Sequence, residues 1–131
     1  MNIIICGAGK VGFSISKQLA AQGHSISVID QSKEDIKKIN ETQEVKGIVG
    51  RATLPSVLEN AGASEADMII AVTKSDETNM IVCQLASSLF NISKKIARIR
   101  TKDFLEGKWT KLFFIYEYSF PRPKNEATGT T

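Results

Sequence analysis

The sequence predicts an α/β domain built on a Rossmann-type, doubly wound parallel sheet, and three observations carry that reading. From Asn2 to Arg100, short β-branched runs alternate with longer amphipathic segments, the order that produces parallel strands joined by crossover helices. Several of those runs are apolar at consecutive positions, as strands covered on both faces are. The first run leads directly into Gly7-Ala8-Gly9-Lys10-Val11-Gly12, a G-x-G-x-x-G turn placed between a strand and a helix.

The strands expected in order are Ile3 to Cys6, Ser25 to Ile29, Val45 to Val49, Met68 to Val72 and Ile96 to Ile99. The first helix carries Val11, Ile15 and Leu19 at four-residue spacing and stops at Gly23. The second opens with Ser32-x-x-Asp35, a relative of the capping box, and turns Ile36 and Ile39 to the core. A third follows Thr53, which is expected to cap it, with Pro55 in its first turn and Gly62 at its end. A fourth begins at Ser75, its expected cap, where Asp76 and Glu77 complement the positive end of the helix dipole. It runs to Phe90 with apolar residues over more of its circumference than one sheet face requires, which predicts a second partner: another copy of the chain, or Leu112 to Phe120 folding back.

The 131 residues are 42% hydrophobic and 24% charged, enough for one domain with its own core and too few for two catalytic domains. Seventeen basic against fourteen acidic side chains, interspersed, do not make a nucleic-acid-binding surface. Cys6 and Cys83 lie in apolar runs without metal-site or disulfide-scaffold spacing and read as reduced core residues of a cytosolic protein. No apolar stretch approaches the roughly 18 residues that cross a bilayer, and no signal-peptide pattern opens the chain, so it is expected to be soluble and not membrane-inserted. After Arg100 the composition shifts, with seven of the nine aromatic residues in the last 31 positions. The organisation expected is therefore a Rossmann domain over 1–103, an aromatic-rich segment over 104–120 that could form a sixth strand, and a disordered tail over 121–131.

The glycine turn has a specific chemistry. Gly7 permits the tight turn, Gly9 lets backbone approach a pyrophosphate, and Gly12 lets the helix pack closely on the strand, while free N–H groups at the helix start face the phosphates. Asp30 ends the second strand about 20 residues on, where a carboxylate accepts hydrogen bonds from an adenosine ribose and repels a 2′-phosphate. The alternative is a loop acid that starts the Asp30-Gln31-Ser32 turn. Arg51, Thr73, Lys74, Arg98 and Arg100 fall at or just beyond the ends of the other strands, on the same side of the sheet. Arg98 could point into the cleft or into solvent.

A dehydrogenase also requires a group that moves a proton beside the nicotinamide. The one histidine, His24, sits in the connection before the second strand, at the opposite edge. No G-x-S-x-G elbow, C-x-x-C pair or P-loop is present. A binding module without catalytic residues is the expectation.

From Met1 to about Asp103 the chain closely resembles the RCK/KTN-type nucleotide-binding domain at the N-terminus of the TrkA regulators of Trk potassium uptake. The resemblance rests on Ile3 to Gly12, Val28-Ile29-Asp30, Gly50-x-Ala52-Thr53, Leu58-x-x-Ala61-Gly62, Ile96 to Arg100 and, most specifically, the run from Ala66 to Met80 that contains A-D-M-I-I-A-V-T-K-S-D-E-T-N. It implies a Rossmann fold and a regulator that binds NAD(H) foremost, or ATP/ADP. It implies assembly as a homodimer or larger ring, and control of a membrane potassium-translocating subunit from its cytoplasmic side. Residue by residue, Gly7, Ala8, Gly9, Lys10 and Val11 would hold the phosphates and Asp30 the ribose. Thr73 and Lys74 would line the cleft, and Arg98 would close it. Arg51, also assigned to the cofactor set, stands where the family usually has an acidic or small polar residue, which bears on nucleotide preference. Beyond Asp103 the match fades, and the chain reads as one half of one half of such a regulator. The competing readings are a cofactor-binding fragment of an NAD-dependent oxidoreductase and a remnant that folds and dimerises without regulating.

Overall fold

Ile3, Ile4, Ile5 and Cys6 are each at most 2% exposed, so the strand that contains them, β1 (Asn2–Cys6), is covered on both faces and lies in the middle of the sheet. The protein is described here over residues 1–105 of a computed structural model. The chain continues through α1 (Lys10–Ala21), β2 (Ser25–Asp30), α2 (Lys33–Thr42), β3 (Lys46–Val49), α3 (Pro55–Asn60), a 3-10 turn at Ala63–Glu65, β4 (Met68–Ala71), α4 (Asp76–Phe90), β5 (Lys94–Ala97) and α5 (Lys102–Leu105). The five strands are all parallel in the order β3-β2-β1-β4-β5. The strand order reverses between β1 and β4, and a crevice opens at the carboxyl ends of strands at such a reversal.

The period of two along the strands sorts their side chains into two cores. Ile3, Ile5, Ile26, Val28, Ile70 and Val72 pack with α1 and with Ile36 and Ile39 of α2. Ile4, Cys6, Ile29, Ile69, Ala71 and Ala97 pack with Leu58 of α3 and with Met80, Val82, Cys83 and Ala86 of α4. Each fully buried isoleucine contributes about 1.5–3 kcal/mol over an exposed one. Buried Ser16 adds a polar tie, donating to Gln43 Oε1 at 2.7 Å while Gln43 Nε2 donates to the Phe13 carbonyl at 3.1 Å, which fixes α1 to the end of α2.

The caps follow the sequence in part. Ser32 accepts from Asp35 N and Ser75 from Thr78 N, as expected. Thr53 caps nothing: α3 starts one residue later, at Leu54, with Pro55 in the first turn and no side-chain cap. Gly62 ends that region in the left-handed conformation, at φ 92°. The last strand also differs, spanning Lys94–Ala97 rather than Ile96 to Ile99. The register pairs Met68 with Lys94 and Ile69 with Lys95, so two lysines, one exposed and one half-buried, start the strand, while Asn91 closes α4 after Phe90, as expected, at φ 55°. The proposed strand Leu112 to Phe120 and the tail over 121–131 lie outside the described residues.

Gly12 has no room for a side chain, since a Cβ there would overlap the Gly7 carbonyl oxygen and also meet Val72 Cγ2 at 3.6 Å. Gly12→Ala is expected to destabilise the domain by about 3 kcal/mol, the upper end of overpacking costs. Urea unfolding of the variant against the parent checks this, and an unchanged midpoint would show that α1 can shift freely on the sheet.

Candidate functional site

The carboxyl end of β1 becomes a turn because Gly7 takes φ 115°, a conformation that side chains rarely adopt, and because a Cβ there would sit 2.8 Å from the Val72 carbonyl oxygen. The Gly7 N–H donates to the Ile29 carbonyl at 2.8 Å, which stitches the turn to β2. Gly9 is different. It is exposed, its φ is an ordinary −72°, and a Cβ would meet nothing within 4 Å, so the fold itself does not require glycine there. Gly9 is the N-cap of α1 and supplies no side-chain acceptor, in contrast to Ser32 and Ser75 on α2 and α4. The first turn of a helix has N–H groups without intrahelical partners and carries a partial positive charge. An anionic group can approach this one without meeting a side chain, so the turn fits a nucleotide phosphate.

Asp30 stands beside the turn, half-buried, and both of its oxygens already have partners within the chain. Its Oδ2 accepts from Ala8 N at 2.7 Å and its Oδ1 from Ser32 N at 2.8 Å. The loop-acid reading therefore holds geometrically, and the same carboxylate braces the glycine turn. Two bonds leave acceptor capacity on both oxygens, so a ribose hydroxyl can still be received there.

Across the crevice, the ends of β4 and β5 are joined by a polar lattice. Arg98 turns back over the end of β4, where Nη2 donates to the carbonyls of Val72 at 3.1 Å and Thr73 at 2.8 Å. Its guanidinium lies on these carbonyls instead of extending freely into solvent. Thr73 gives its N–H and its hydroxyl to Asn79 Oδ1, at 2.9 and 2.7 Å. Asn79, fully buried, returns Nδ2 to the carbonyls of Thr73 at 3.2 Å and Arg98 at 2.8 Å. Asp76, 6% exposed, accepts from Arg100 N and Thr101 N at distances down to 2.6 Å. Burial alone would raise its pKa, but the Thr101 side chain, the Arg100 and Thr101 backbone N–H groups and the Arg100 charge outweigh it and hold the carboxyl below its usual range.

The remaining candidates are exposed or buried in ways that limit their roles. Lys10 is exposed at the first position of α1, Lys74 on the loop after β4, and Arg51 after β3. His24 lies at the far edge, with Nδ1 3.1 Å from the Met1 amino group. Burial, then Cys83 and Asp30, push the Cys6 thiol far up; burial raises that of Cys83 to about 12 against the opposing Lys95 charge. Both are core thiols without nucleophilic character. Among the described residues no group of three or more His, Cys, Asp or Glu side chains could hold a metal ion.

The sequence reading gave Asp76 only a dipole role and Asn79 no role beyond its motif. Their signal was present: with Met80, Cys83 and Ala86 they share the buried stripe of α4, and a polar side chain on a core stripe must find internal partners.

Because the folded pKa of Asp76 lies below its unfolded value, its stabilisation is present above about pH 4 and is lost as pH falls through the folded value. Asp76→Asn should therefore lower the thermal midpoint at pH 7, with the gap to the parent narrowing below pH 4. A gap independent of pH would assign the loss to packing instead of charge.

Comparison with known proteins places the family and the fold. A Trk system potassium uptake protein TrkA from Azorhizobium caulinodans is 44% identical over 112 residues, covering 86% of this chain and 24% of the relative. The Kef CTD of Shewanella denitrificans in its AMP-bound form superposes with a TM-score of 0.69 at 26% identity, covering 80% of this chain and 65% of that one. The GsuK channel bound to NAD superposes with a TM-score of 0.75 over 92% of this chain and 21% of its own, and at 22% identity it shows the fold alone. The chain thus spans about a quarter of the length of the TrkA proteins it matches, and 52% of a TrkA homolog from Pyrococcus abyssi. The TrkA-N domain model matches residues 3–110, and the chain belongs to that family.

Proposed function

We propose that the chain is a nucleotide-binding regulatory module of a potassium uptake system, acting in the cytoplasm on a membrane potassium-translocating partner. The observation that carries the reading is the pairing of an unobstructed helix N-terminus at Gly9 with the Asp30 carboxylate 2.7 Å from the same turn. The first suits a phosphate and the second a ribose, so together they suit NAD(H), ATP or ADP. The membership in the TrkA-N family supports the potassium-uptake setting, and the AMP-bound Kef domain supports an adenine nucleotide as the class of ligand. The regulatory reading is favoured over a dehydrogenase fragment because the two acidic groups at the strand ends, Asp30 and Asp76, are both held by backbone N–H donors. Occupancy acts in this reading by favouring one of two arrangements of an assembled dimer or ring.

Titration calorimetry with NAD, NADH, ATP and ADP tests the ligand. Binding of at least one is expected, and Gly9→Ala should abolish it while leaving the thermal midpoint nearly unchanged, since its methyl enters open space in the fold but blocks the phosphate. Asp30→Ala should weaken binding by about tenfold or more, through the ribose bonds and the freed Ala8 and Ser32 amides. Full-strength binding by both variants would refute the assignment.

Assembly is a separate expectation. On α4, Ile81 is 49% and Leu89 56% exposed, and half-buried Leu85, which also packs on the core, lies between them at four-residue spacing. We assign this stripe to self-association of the chain as a homodimer. Sedimentation should show a dimer for the parent at micromolar concentration and a monomer for Ile81→Lys with Leu89→Lys. A monomeric parent would overturn the assignment.

A further inference from the structure

Three residues close a ring of hydrogen bonds at the β4–β5 side of the crevice. Asn79 Oδ1 receives Thr73 N, Asn79 Nδ2 donates to the Arg98 carbonyl, and Arg98 Nη2 donates to the Thr73 carbonyl. Asn79 is fully buried and uses all of its hydrogen-bonding capacity: two acceptor positions on Oδ1 for Thr73 and two donors on Nδ2 for the Thr73 and Arg98 carbonyls. The amide orientation is fixed by this arrangement, because reversing it would set donor against donor and acceptor against acceptor. Thr73 and Arg98 are the half-buried members, at the carboxyl ends of β4 and β5; Asn79 is the buried one.

We propose that Asn79 is a positioning residue for nucleotide binding, which presets the Thr73 peptide and the Arg98 guanidinium without itself touching the ligand. The inference rests on the nucleotide reading above. Its physical content is preorganisation. A guanidinium already seated by two carbonyls, on a peptide already pinned by a buried amide, does not have to be ordered when the ligand arrives. Asparagine suits the task because the lip contains both N–H and C=O groups, and a carboxamide of this size offers both complements. Aspartate has the same shape but no donor for the carbonyls of Thr73 and Arg98, so it opposes them with a third oxygen.

The test is a double-mutant cycle on the full chain, read by calorimetric titration with ADP, or with NAD where that binds better, alongside thermal unfolding. Asn79→Asp should weaken binding about tenfold, the order expected from losing one charge-assisted contact. In an Arg98→Ala background, itself weakened, the same change should cost clearly less, about threefold, because the part of its effect that runs through the guanidinium is gone and only the Thr73 peptide remains. Its effect on the thermal midpoint should be similar in both backgrounds. Amide hydrogen exchange of the parent supplies an arm that needs no variant: the Thr73 N–H should be protected before any nucleotide is added. Unchanged affinity of Asn79→Asp, equal losses in both backgrounds, an Arg98→Ala variant that binds like the parent, or a Thr73 amide protected only after nucleotide addition would each overturn the proposal. A parent that binds neither nucleotide overturns the functional reading itself, whereas binding that is blind to Asn79 overturns this inference alone.

Discussion

The close approach of α1 to β1 at Gly7 and Gly12 is the constraint on which the rest of the molecule depends. With the Gly12 Cα set against the Gly7 carbonyl, the helix axis can begin only where it does, at Gly9, with its first turn at the edge of the sheet. That fixes α1 over β1 and β2 and creates the core on that face, in which Val11, Phe13, Ile15 and Leu19 meet Ile3, Ile5, Ile26 and Val28. It also fixes the gap between the glycine turn and the end of β4, since Gly7 lies against the Val72 carbonyl. Arg98 is seated on that same carbonyl, so the two sides of the crevice share one peptide group.

Below this edge the sheet is held by apolar burial, and along it by hydrogen bonds from a few polar side chains. The division follows from solvation. Strand interiors satisfy their backbone groups in the ladder, but at the carboxyl ends the ladder stops and the last N–H and C=O groups need other partners. Asp30 takes two N–H groups on one side of the crevice; Asn79 and Asp76 take the N–H groups of Thr73, Arg100 and Thr101 on the other. Each of these residues closes a strand end that would otherwise fray.

Most of the fold was legible because its signals are local. β1 and β2 are short β-branched runs, α2 and α4 begin at serine caps, and the glycine turn follows a strand. What was not legible is settled between distant segments. The start of β5 depends on register with β4, and the apolar reading favoured Ile96 to Ile99 because it discounted Lys94, which is exposed, and Lys95, whose Nζ donates to the Ile92 and Ser93 carbonyls while its backbone pairs. Thr53 had the composition of a cap, yet the turn ran one residue further to use Pro55. Within the site, the residue types at the strand ends were readable, and so was the local Asp30–Ser32 turn, but the partners of Arg98 and the bond from Ala8 to Asp30 were not. Both depend on backbone groups of distant segments, contacted across 25–26 and 22 residues respectively.

The two sides of the crevice are therefore unlike in a way that their compositions dictate. On the α1 side, Asp30 takes the Ala8 N–H, but Gly9 offers no side-chain cap, so the first N–H groups of α1 are left to an anion. On the α4 side, Ser75, Asp76 and Asn79 satisfy the turn and strand ends internally, so that surface is complete by itself and offers shape and the Arg98 charge. A ligand that joins them meets one wall with unsatisfied donors and one already rigid. Attraction is then concentrated at the glycine turn and orientation at the α4 side, and each wall can be altered by substitution without supplying what the other provides.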